Sequence, residues 1–150
     1  MTVSTAYSVD QLLKMSQAQL DDLFRQSETG EFGTGDSSGT AIVLPGTPFS
    51  GLLAKLGYWL IWQGKVISPD GKRLKNKLTP FRIKAIAANV DKDISRLDGK
   101  ECTLLDYSKT SFVAGFVRDE VRQVGPNTFL GIVYCWKIKT INFVLVFPEK

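Results

Sequence analysis

The sequence predicts a mainly β protein: an antiparallel meander of strands that closes into a barrel, preceded by helices at the N-terminus. Three observations support this fold class. Apolar residues recur with a period of two from Lys65 to the end of the chain. Turn signals such as Asp98-Gly99 separate these stretches, with no helical pattern between them. Capping boxes of the form Ser-x-x-Gln are confined to the first thirty residues. A sheet of seven or eight strands in so short a chain tends to curl and close, which removes its exposed edges.

The N-terminal residues predict two short helices. Ser8 with Gln11 and Ser16 with Gln19 have the capping-box spacing, in which a hydroxyl and an amide satisfy backbone N–H groups that lack a helical partner. Thr29-Gly30 is a stop signal for the second helix. The apolar stripe consists of Leu12, Leu13, Leu20, Leu23 and Phe24. Because this stripe must be buried, residues 1–30 are expected to pack on a barrel domain formed by residues 31–150.

A loose glycine-rich connection, from Gly30 to Gly39, is expected to follow the helices. Its Gly33-Thr34-Gly35 segment is not expected to bind phosphate, because it precedes a strand, Thr40–Leu44, whereas phosphate loops lead from a strand into a helix. Ser50 to Leu60 has helical spacing and predicts a third helix capped by Ser50. An extended conformation around Trp59 to Trp62 remains an alternative.

The period-two region predicts the strands of the meander. Arg118, Glu120 and Arg122 alternate with Val117, Asp119 and Val121, so the first three are expected to form a solvated row. The basic residues Lys72, Arg73, Lys75 and Lys77 are likewise expected on a solvent face. The predicted strands are Val66–Ser68, Arg73–Thr79, Ile83–Val90, Glu101–Tyr107, Thr110–Val124 with a break near Gly115, Phe129–Trp136 and Thr140–Phe147.

Composition excludes several kinds of chemistry. The chain of 150 residues has no histidine, so it cannot carry a Ser-His-Asp triad or an HExxH zinc site. Its two cysteines suit neither a disulfide framework nor a zinc site, and we expect neither metal nor cofactor. A net charge of +4 without a nucleic-acid-binding module predicts no nucleic-acid partner. We expect a cytoplasmic protein without a signal peptide or membrane span, and the oligomeric state is left open.

A few polar residues share faces with apolar ones and are therefore expected inside the barrel. Asp119 lies between two valines, Asp106 shares a face with Cys102 and Leu104, and the other two are amides, Asn76 and Asn142. A buried carboxylate is costly unless it is paired or hydrogen-bonded. Either these groups cap turns and pair with neighbouring cations, or they orient a ligand in an apolar cavity.

Several segments resemble the lipocalin-like (calycin-type) barrels, and in particular a group of small bacterial proteins of that architecture. The likeness covers about Leu20 to Phe147 and departs from the usual Gly-x-Trp motif, where this chain has Gly30-Glu-Phe32. It implies a barrel with an interior ligand site. The segments are Trp62-Gln-Gly-Lys65, Leu97-Asp-Gly-Lys100, Leu105-Asp-Tyr-Ser108, Arg118-Asp-Glu120 and Phe129-Leu-Gly131 with Tyr134.

Two functions remain open on this barrel, and a third uses its surface. The first is binding of a small hydrophobic molecule, such as a fatty acid, an isoprenoid or a polyketide, by Trp59, Trp62, Asn76, Phe129 and Asn142. The second is a metal-free isomerase, cyclase or hydrolase that uses interior acid and base groups, namely Asp106, Asp119, Tyr107 and Tyr134. The third is partner binding through the apolar stretch Phe49–Trp62.

Overall fold

The computed structural model describes residues 7–42, 62–78, 83–110 and 115–148. Its strands all pair antiparallel in a single sheet of order β1-β3-β4-β5-β6-β7-β8-β9-β2, which confirms a mainly β fold with helices near the N-terminus. The helices are α1 (Val9–Leu13) and α2 (Gln17–Gln26). The strands are β1 (Gly35–Asp36), β2 (Ser38–Ile42), β3 (Trp62–Ile67), β4 (Arg73–Leu78), β5 (Ile83–Ile94), β6 (Glu101–Asp106), β7 (Val117–Gly125), β8 (Thr128–Cys135) and β9 (Ile138–Val146).

Both helices begin at the predicted capping boxes. The Ser8 and Ser16 hydroxyls accept from the backbone N–H groups of Gln11 and Gln19, whose side chains accept in return from the serine N–H groups. The predicted stripe is buried except for Leu13, which is 44% exposed. No helix in the described part of the chain is long and apolar enough to cross a bilayer.

The sheet closes almost completely at Ser37. This residue separates β1, which pairs with β3, from β2, which pairs with β9, so one interrupted strand joins the two edges of the sheet. The Ser37 N–H and hydroxyl both donate to the carbonyl of Lys65, at 2.9 and 2.6 Å. The Lys65 N–H donates back to the Ser37 hydroxyl at 3.1 Å. The result is a nearly closed barrel of eight strands, if β1 and β2 are counted as one interrupted strand.

Several strand limits differ from the prediction. The connection from Gly30 to Gly39 is not loose throughout, because it contains β1 and the first part of β2. Strand β5 runs four residues beyond Val90, since its charged end pairs with β6 as far as Glu101. Strand β7 begins at Val117 instead of Thr110, whose N–H closes a turn on the Tyr107 carbonyl. The predicted helix over Ser50–Leu60 lies outside the described residues. The apolar stretch Phe49–Trp62 also lies outside them, except for the backbone of Trp62, where β3 begins.

The sheet separates two hydrophobic cores. One fills the barrel interior, and the other lies between the outer surface of the sheet and the helices. The interior core comprises Ile67, Leu74, Ala88, Leu105, Tyr107, Val121, Phe129, Phe143, Leu145 and Phe147. The outer core comprises Leu12, Leu20, Leu23, Phe24, Ile42, Cys102, Val124, Leu130, Ile132, Tyr134 and Val144. Residues 130–134 and 142–144 therefore alternate between the two cores.

The row Arg118, Glu120 and Arg122 lies on the outer face as predicted, but the expectation that it is solvated is wrong. Glu120 is 0% exposed and Arg122 is 1% exposed. Glu120 accepts from Ser95, Arg96 and Arg118, while Arg122 pairs with both oxygens of Asp98. The connection between β5 and β6 supplies these partners by folding over the row.

The basic run also departs from the predicted solvent face at one position. Lys72, Arg73 and Lys75 are exposed, whereas Lys77 is buried and forms an ion pair with Asp36 of β1.

Candidate functional site

Four polar side chains meet inside the barrel, and we call them the interior polar cluster: Lys65, Asn76, Tyr107 and Asp119. Each is at most 5% exposed. The Lys65 Nζ donates to Asn76 Oδ1 at 2.7 Å and to the Tyr107 hydroxyl oxygen at 2.6 Å. It forms an ion pair with Asp119 Oδ2 at 3.2 Å. The Tyr107 hydroxyl donates to the same Asp119 oxygen at 3.1 Å, and Asn76 Nδ2 donates to the Tyr107 oxygen at 3.1 Å.

The cluster spans the barrel from one wall to the other. Lys65 lies on β3 and Asp119 on β7, and β4, β5 and β6 separate these strands in the sheet. In a barrel of eight strands, two strands that are four positions apart face each other, as β3 and β7 do. The long lysine side chain allows the amine to reach the carboxylate across the interior. An ion pair in this position divides the interior into two ends.

The seam of the barrel positions Lys65. Its N–H and its carbonyl both bond Ser37, and Gly64 precedes it with φ +138°. A Cβ at Gly64 would lie 2.3 Å from the Ser37 carbonyl oxygen, so a side chain has no room there. The glycine thus allows the close approach that holds the Lys65 backbone against the opposite edge of the sheet.

Strand pairing and an aromatic ring position the rest of the cluster. Asp119 pairs with Leu105 of β6, two residues before Tyr107. The ring of Phe143 lies with its centroid 5.3 Å from Lys65 Nζ. Gly131, opposite Phe143 on β8, leaves the space that this ring occupies, because a Cβ there would lie 2.1 Å from it. The amine therefore rests near aromatic faces, which attract cations.

Burial governs the ionisation of the cluster. It lowers the pKa of Lys65, against the opposing effect of the Asp119 carboxylate. Burial also raises the pKa of Asp119, opposed by Lys65 and by the hydrogen bond from Tyr107. The pKa of Tyr107 is raised well above 10.0, first by burial and then by the nearby carboxylate. The ion pair of Lys65 and Asp119 carries no net charge, and transfer of a proton from the amine to the carboxylate would leave the pair neutral as well.

One oxygen of the cluster has no donor among the described residues. Asp119 Oδ1 is buried and accepts no hydrogen bond there, whereas Oδ2 has two partners. Buried polar atoms are nearly always hydrogen-bonded, since leaving one unsatisfied costs about 1–3 kcal/mol. The cluster can therefore accept one further hydrogen bond at Asp119.

The two ends of the interior differ in packing. At the end where β7 meets β8, Phe32, Phe129 and Phe147 form an edge-to-face trio with ring centroids 5.3 to 5.7 Å apart. Phe129 and Phe147 are fully buried there. Toward the other end, four of the described residues that face inward are only half-buried: Val117, Val133, Cys135 and Ile141. The three rings thus form an aromatic plug that closes one end of the interior. At the opposite end, which we call the incompletely packed end, these side chains are partly exposed to solvent.

The structure brings three of the predicted site residues together: Asn76, Tyr107 and Asp119. A fourth, Phe129, belongs to the aromatic plug. The expectation that Asp106 lies inside the barrel with Asp119 is wrong. Asp106 pairs with Arg118, one position further along, and lies on the outer face. There its carboxylate accepts from the N–H and hydroxyl of Ser108. Partial burial opposes these bonds, but together with nearby cations they lower the pKa of Asp106 below 3.8.

Two further predicted residues face the helices instead of the interior. Tyr134 belongs to the outer core, where burial raises its pKa to about 12. Asn142 bonds the side chain of Gln17 on α2 and the carbonyl of Gly131. Side chains two residues apart on a strand lie on the same face. Tyr134 therefore faces outward with Ile132, and Asn142 faces outward with Val144. Trp59 and the side chain of Trp62 lie outside the described residues.

Sequence analysis missed Lys65, the cation of the cluster. The signal was present but weak: Lys65 shares its face with Ile67, yet Val66 between them is apolar too, so alternation did not decide which face is buried. A stronger signal is the need for a counter-charge to Asp119. A carboxylate on the face of Val117 and Val121 needs a cation or hydrogen-bond donors, and Lys65 supplies the cation.

Among the described residues, no group of three or more Cys, Asp or Glu side chains is arranged to hold a metal ion. The cluster itself presents an amine, a phenol, an amide and a carboxylate. These groups can donate and accept hydrogen bonds and, near an apolar wall, can transfer protons.

Comparison with known proteins supports the fold. No protein-family model and no curated protein matches the sequence. A crystal structure of a protein from Thermomonospora curvata is similar, with a TM-score of 0.59 and 17% sequence identity. The match covers 90% of this chain and 89% of that one. This likeness shows a shared nearly closed antiparallel barrel over almost the whole of both chains.

Proposed function

We propose that the protein binds one small hydrophobic molecule inside the barrel, as lipocalin-like barrels do. The molecule would be of the size and kind of a fatty acid, an isoprenoid or a polyketide. It would occupy the incompletely packed end of the interior, with the interior polar cluster as its floor. We place this function in the cytoplasm, where Cys102 and Cys135, both free thiols, would stay reduced.

The observation that carries the proposal is the contrast between the two ends. A protein core without a ligand is expected to be packed and to exclude solvent throughout, and Phe129 and Phe147 are buried in this way. Val117, Val133 and Ile141 face the same interior but remain half-buried. Apolar walls with a few convergent polar groups are the usual composition of a small-molecule pocket. An eight-stranded barrel is also of the size that holds one small ligand.

A dye titration tests the proposal. N-phenyl-1-naphthylamine is neutral and fluoresces in apolar surroundings, so the wild type is expected to bind it saturably at one site. Val133→Trp should fill the incompletely packed end and weaken binding at least about tenfold. Lys75→Trp, on the exposed outer face of β4, is the matched control and should bind the dye as the wild type does. Absence of saturable binding, or equal binding by Val133→Trp, would contradict interior binding.

A second candidate is a metal-free isomerase, cyclase or hydrolase on the same barrel. The observation that favours it is the contact of three titratable groups, Lys65, Tyr107 and Asp119, among apolar side chains of the barrel interior. A desolvated carboxylate can act as a general base, and a phenol next to an ammonium can donate to a developing oxyanion. Asp106 and Tyr134 have no part in this candidate, since both face outward.

Chromatography of the bound molecule distinguishes the candidates. Material extracted from purified Asp119→Asn, which an enzyme would have left unconverted, would be incubated with fresh wild type and with fresh Asp119→Asn. An enzyme would convert it to a product with a new retention time, and Asp119→Asn would convert it at least about a hundredfold more slowly. A binding protein would return the molecule unchanged. Equal conversion by both proteins would exclude Asp119 as the catalytic base.

A further inference from the structure

We propose that the ligand is a neutral amphiphile with a hydroxyl group, which donates a hydrogen bond to Asp119 Oδ1 while its apolar part lies along Val117 and Val133. This inference rests on the proposed binding function and names the chemical class of the ligand. It selects the alcohols among the hydrophobic molecules considered above and rejects the anionic acids.

The first step of the argument is the unfilled position in the cluster. Lys65, Asn76, Tyr107 and Asp119 Oδ2 are joined by five contacts between 2.6 and 3.2 Å. Asp119 Oδ1 is buried beside them with no donor among the described residues. Asp119 faces the interior between Val117 and Val121, so a group that reaches Oδ1 must enter the barrel. The missing partner is therefore expected to belong to a ligand.

The second step concerns charge. Lys65 and Asp119 together carry no net charge, so the site offers no excess cation to a carboxylate ligand. A fatty acid anion would place its oxygens, which have only lone pairs, against Asp119 Oδ1. An ammonium ligand would meet the Lys65 amine and would have to leave water for an apolar interior, which is costly without a counter-ion of its own. A neutral ligand avoids both penalties.

The third step concerns hydrogen bonding. Esters and hydrocarbons are neutral but have no donor for Oδ1. A hydroxyl group has a donor and two acceptor lone pairs. It can therefore donate to the carboxylate, and it can also accept from the Asp119 carboxyl should the shared proton move there from Lys65. Among common neutral groups on apolar molecules, the hydroxyl is the smallest that satisfies Oδ1 in both arrangements.

The fourth step is the depth of the site. The cluster forms a floor across the barrel, and the aromatic plug of Phe32, Phe129 and Phe147 fills the space on its far side. A ligand that enters from the incompletely packed end thus meets Asp119 with its leading end. This geometry predicts a terminal or exposed hydroxyl on a chain or ring, inserted head first.

Displacement of bound N-phenyl-1-naphthylamine by three compounds of one chain length tests the inference near neutral pH. The compounds are dodecan-1-ol, methyl dodecanoate and dodecanoate. Dodecan-1-ol is expected to displace the dye at about one-tenth of the concentration that the methyl ester needs, because a hydrogen bond to a charged group contributes that much affinity. Dodecanoate is expected to be the weakest competitor of the three.

Variants assign the preference to the cluster. Lys65→Met/Asp119→Leu removes both charges together and is expected to bind the dye while losing the preference for the alcohol over the ester. Asp106→Asn, on the outer face, is the matched control and should keep the preference for the alcohol over the ester. If the double variant does not fold, as judged by circular dichroism, the wild-type comparison still decides. Dye displaced best by dodecanoate, or equally by all three compounds, would overturn this inference and leave interior binding standing. A wild type that binds no dye would instead refute the proposed function.

Discussion

Replacing the two charges of the interior polar cluster, singly and together, tests whether Lys65 and Asp119 act as one unit. The variants are Lys65→Met, Asp119→Leu and the double variant. Methionine keeps most of the lysine stem, and leucine fills the space of the carboxylate with apolar atoms. Each single change removes one charge and leaves the other buried, whereas the double change leaves neither.

The structure sets the size of the effect. Unit charges 3.2 Å apart attract each other by about 5 kcal/mol at an effective dielectric constant of about 20. Removing one partner of a buried pair destabilises proteins by about 3–5 kcal/mol, because the remaining charge has lost its compensation. Replacing both partners with apolar residues is often neutral or stabilising. We expect each single variant to lose about 3–5 kcal/mol and the double variant to lie within about 1 kcal/mol of wild type, so the coupling energy should be at least about 5 kcal/mol.

Equilibrium urea denaturation followed by circular dichroism measures these free energies of unfolding. The exposed pair Arg25–Asp22 on α2 is a matched control in the same chain. Its atoms are 2.9 Å apart, but its side chains are 47% and 64% exposed, so its coupling energy should be below about 0.5 kcal/mol. Additive losses at Lys65 and Asp119, with the double variant as unstable as the two single losses together, would refute the account of the cluster as a coupled pair.

Three further predictions concern the framework around the site. The pKa of Asp98 is lowered from 3.8 to about 2 by hydrogen bonds from Arg122, so Asp98→Asn should cost about 2 kcal/mol at neutral pH. The pKa of Asp98 is lower in the folded than in the unfolded protein, so the stability difference between wild type and Asp98→Asn should vanish as the pH falls from about 4 to about 2. A difference in the free energy of unfolding, measured with urea, that stays constant over this pH range would contradict the prediction. Gly64→Ala should lower the melting temperature more than Gly99→Ala, since both have positive φ but only Gly64 faces a backbone oxygen at 2.3 Å; equal melting temperatures would reject the seam argument. Burial raises the pKa of the Cys102 thiol to about 12, so iodoacetamide should modify it in urea but not in the native protein at mildly alkaline pH, as read by mass spectrometry.

Local patterns predicted much of the fold because local interactions determine those features. The capping boxes at Ser8 and Ser16 need only four consecutive residues, and both helices begin there. Alternation along β7 correctly placed Asp119 with Val117 and Val121, since the side chains of a strand alternate strictly. Alternation does not reveal which face of a two-sided strand meets the interior. For that reason Asn142 was predicted to bind the ligand and Tyr134 to be a catalytic group inside the barrel. In the structure both lie on the outer face of the sheet, beneath the helices.

The errors concern contacts between residues far apart in sequence. Arg122 looks solvated in its own strand, and only the fold brings the Phe24 and Glu101 carbonyls and the Asp98 carboxylate to within 3.1 Å of it. Lys65 looks like the polar start of a strand, and only barrel closure sets it opposite Asp119. The partners of Arg122 and of Lys65 cannot be predicted from periodicity, because the order of the strands around the barrel determines which distant segments lie beside them.

Strand β7 connects the candidate site to the N-terminal helices. Its inner face carries Asp119, and its outer face carries Glu120 and Arg122, so adjacent residues hold buried charge on opposite sides of one sheet. The outer charges are compensated by the β5–β6 connection and by the last turn of α2, where Phe24 accepts from Arg122 at 2.8 Å. These bonds fix the backbone from which Asp119 projects, while Ser37 fixes the backbone of Lys65 on the opposite wall. The two ends of the ion pair are therefore held by independent parts of the fold. With both backbones anchored, Asp119 Oδ1 has little freedom to turn toward another donor of the protein, and this is why a ligand is the partner we expect it to take.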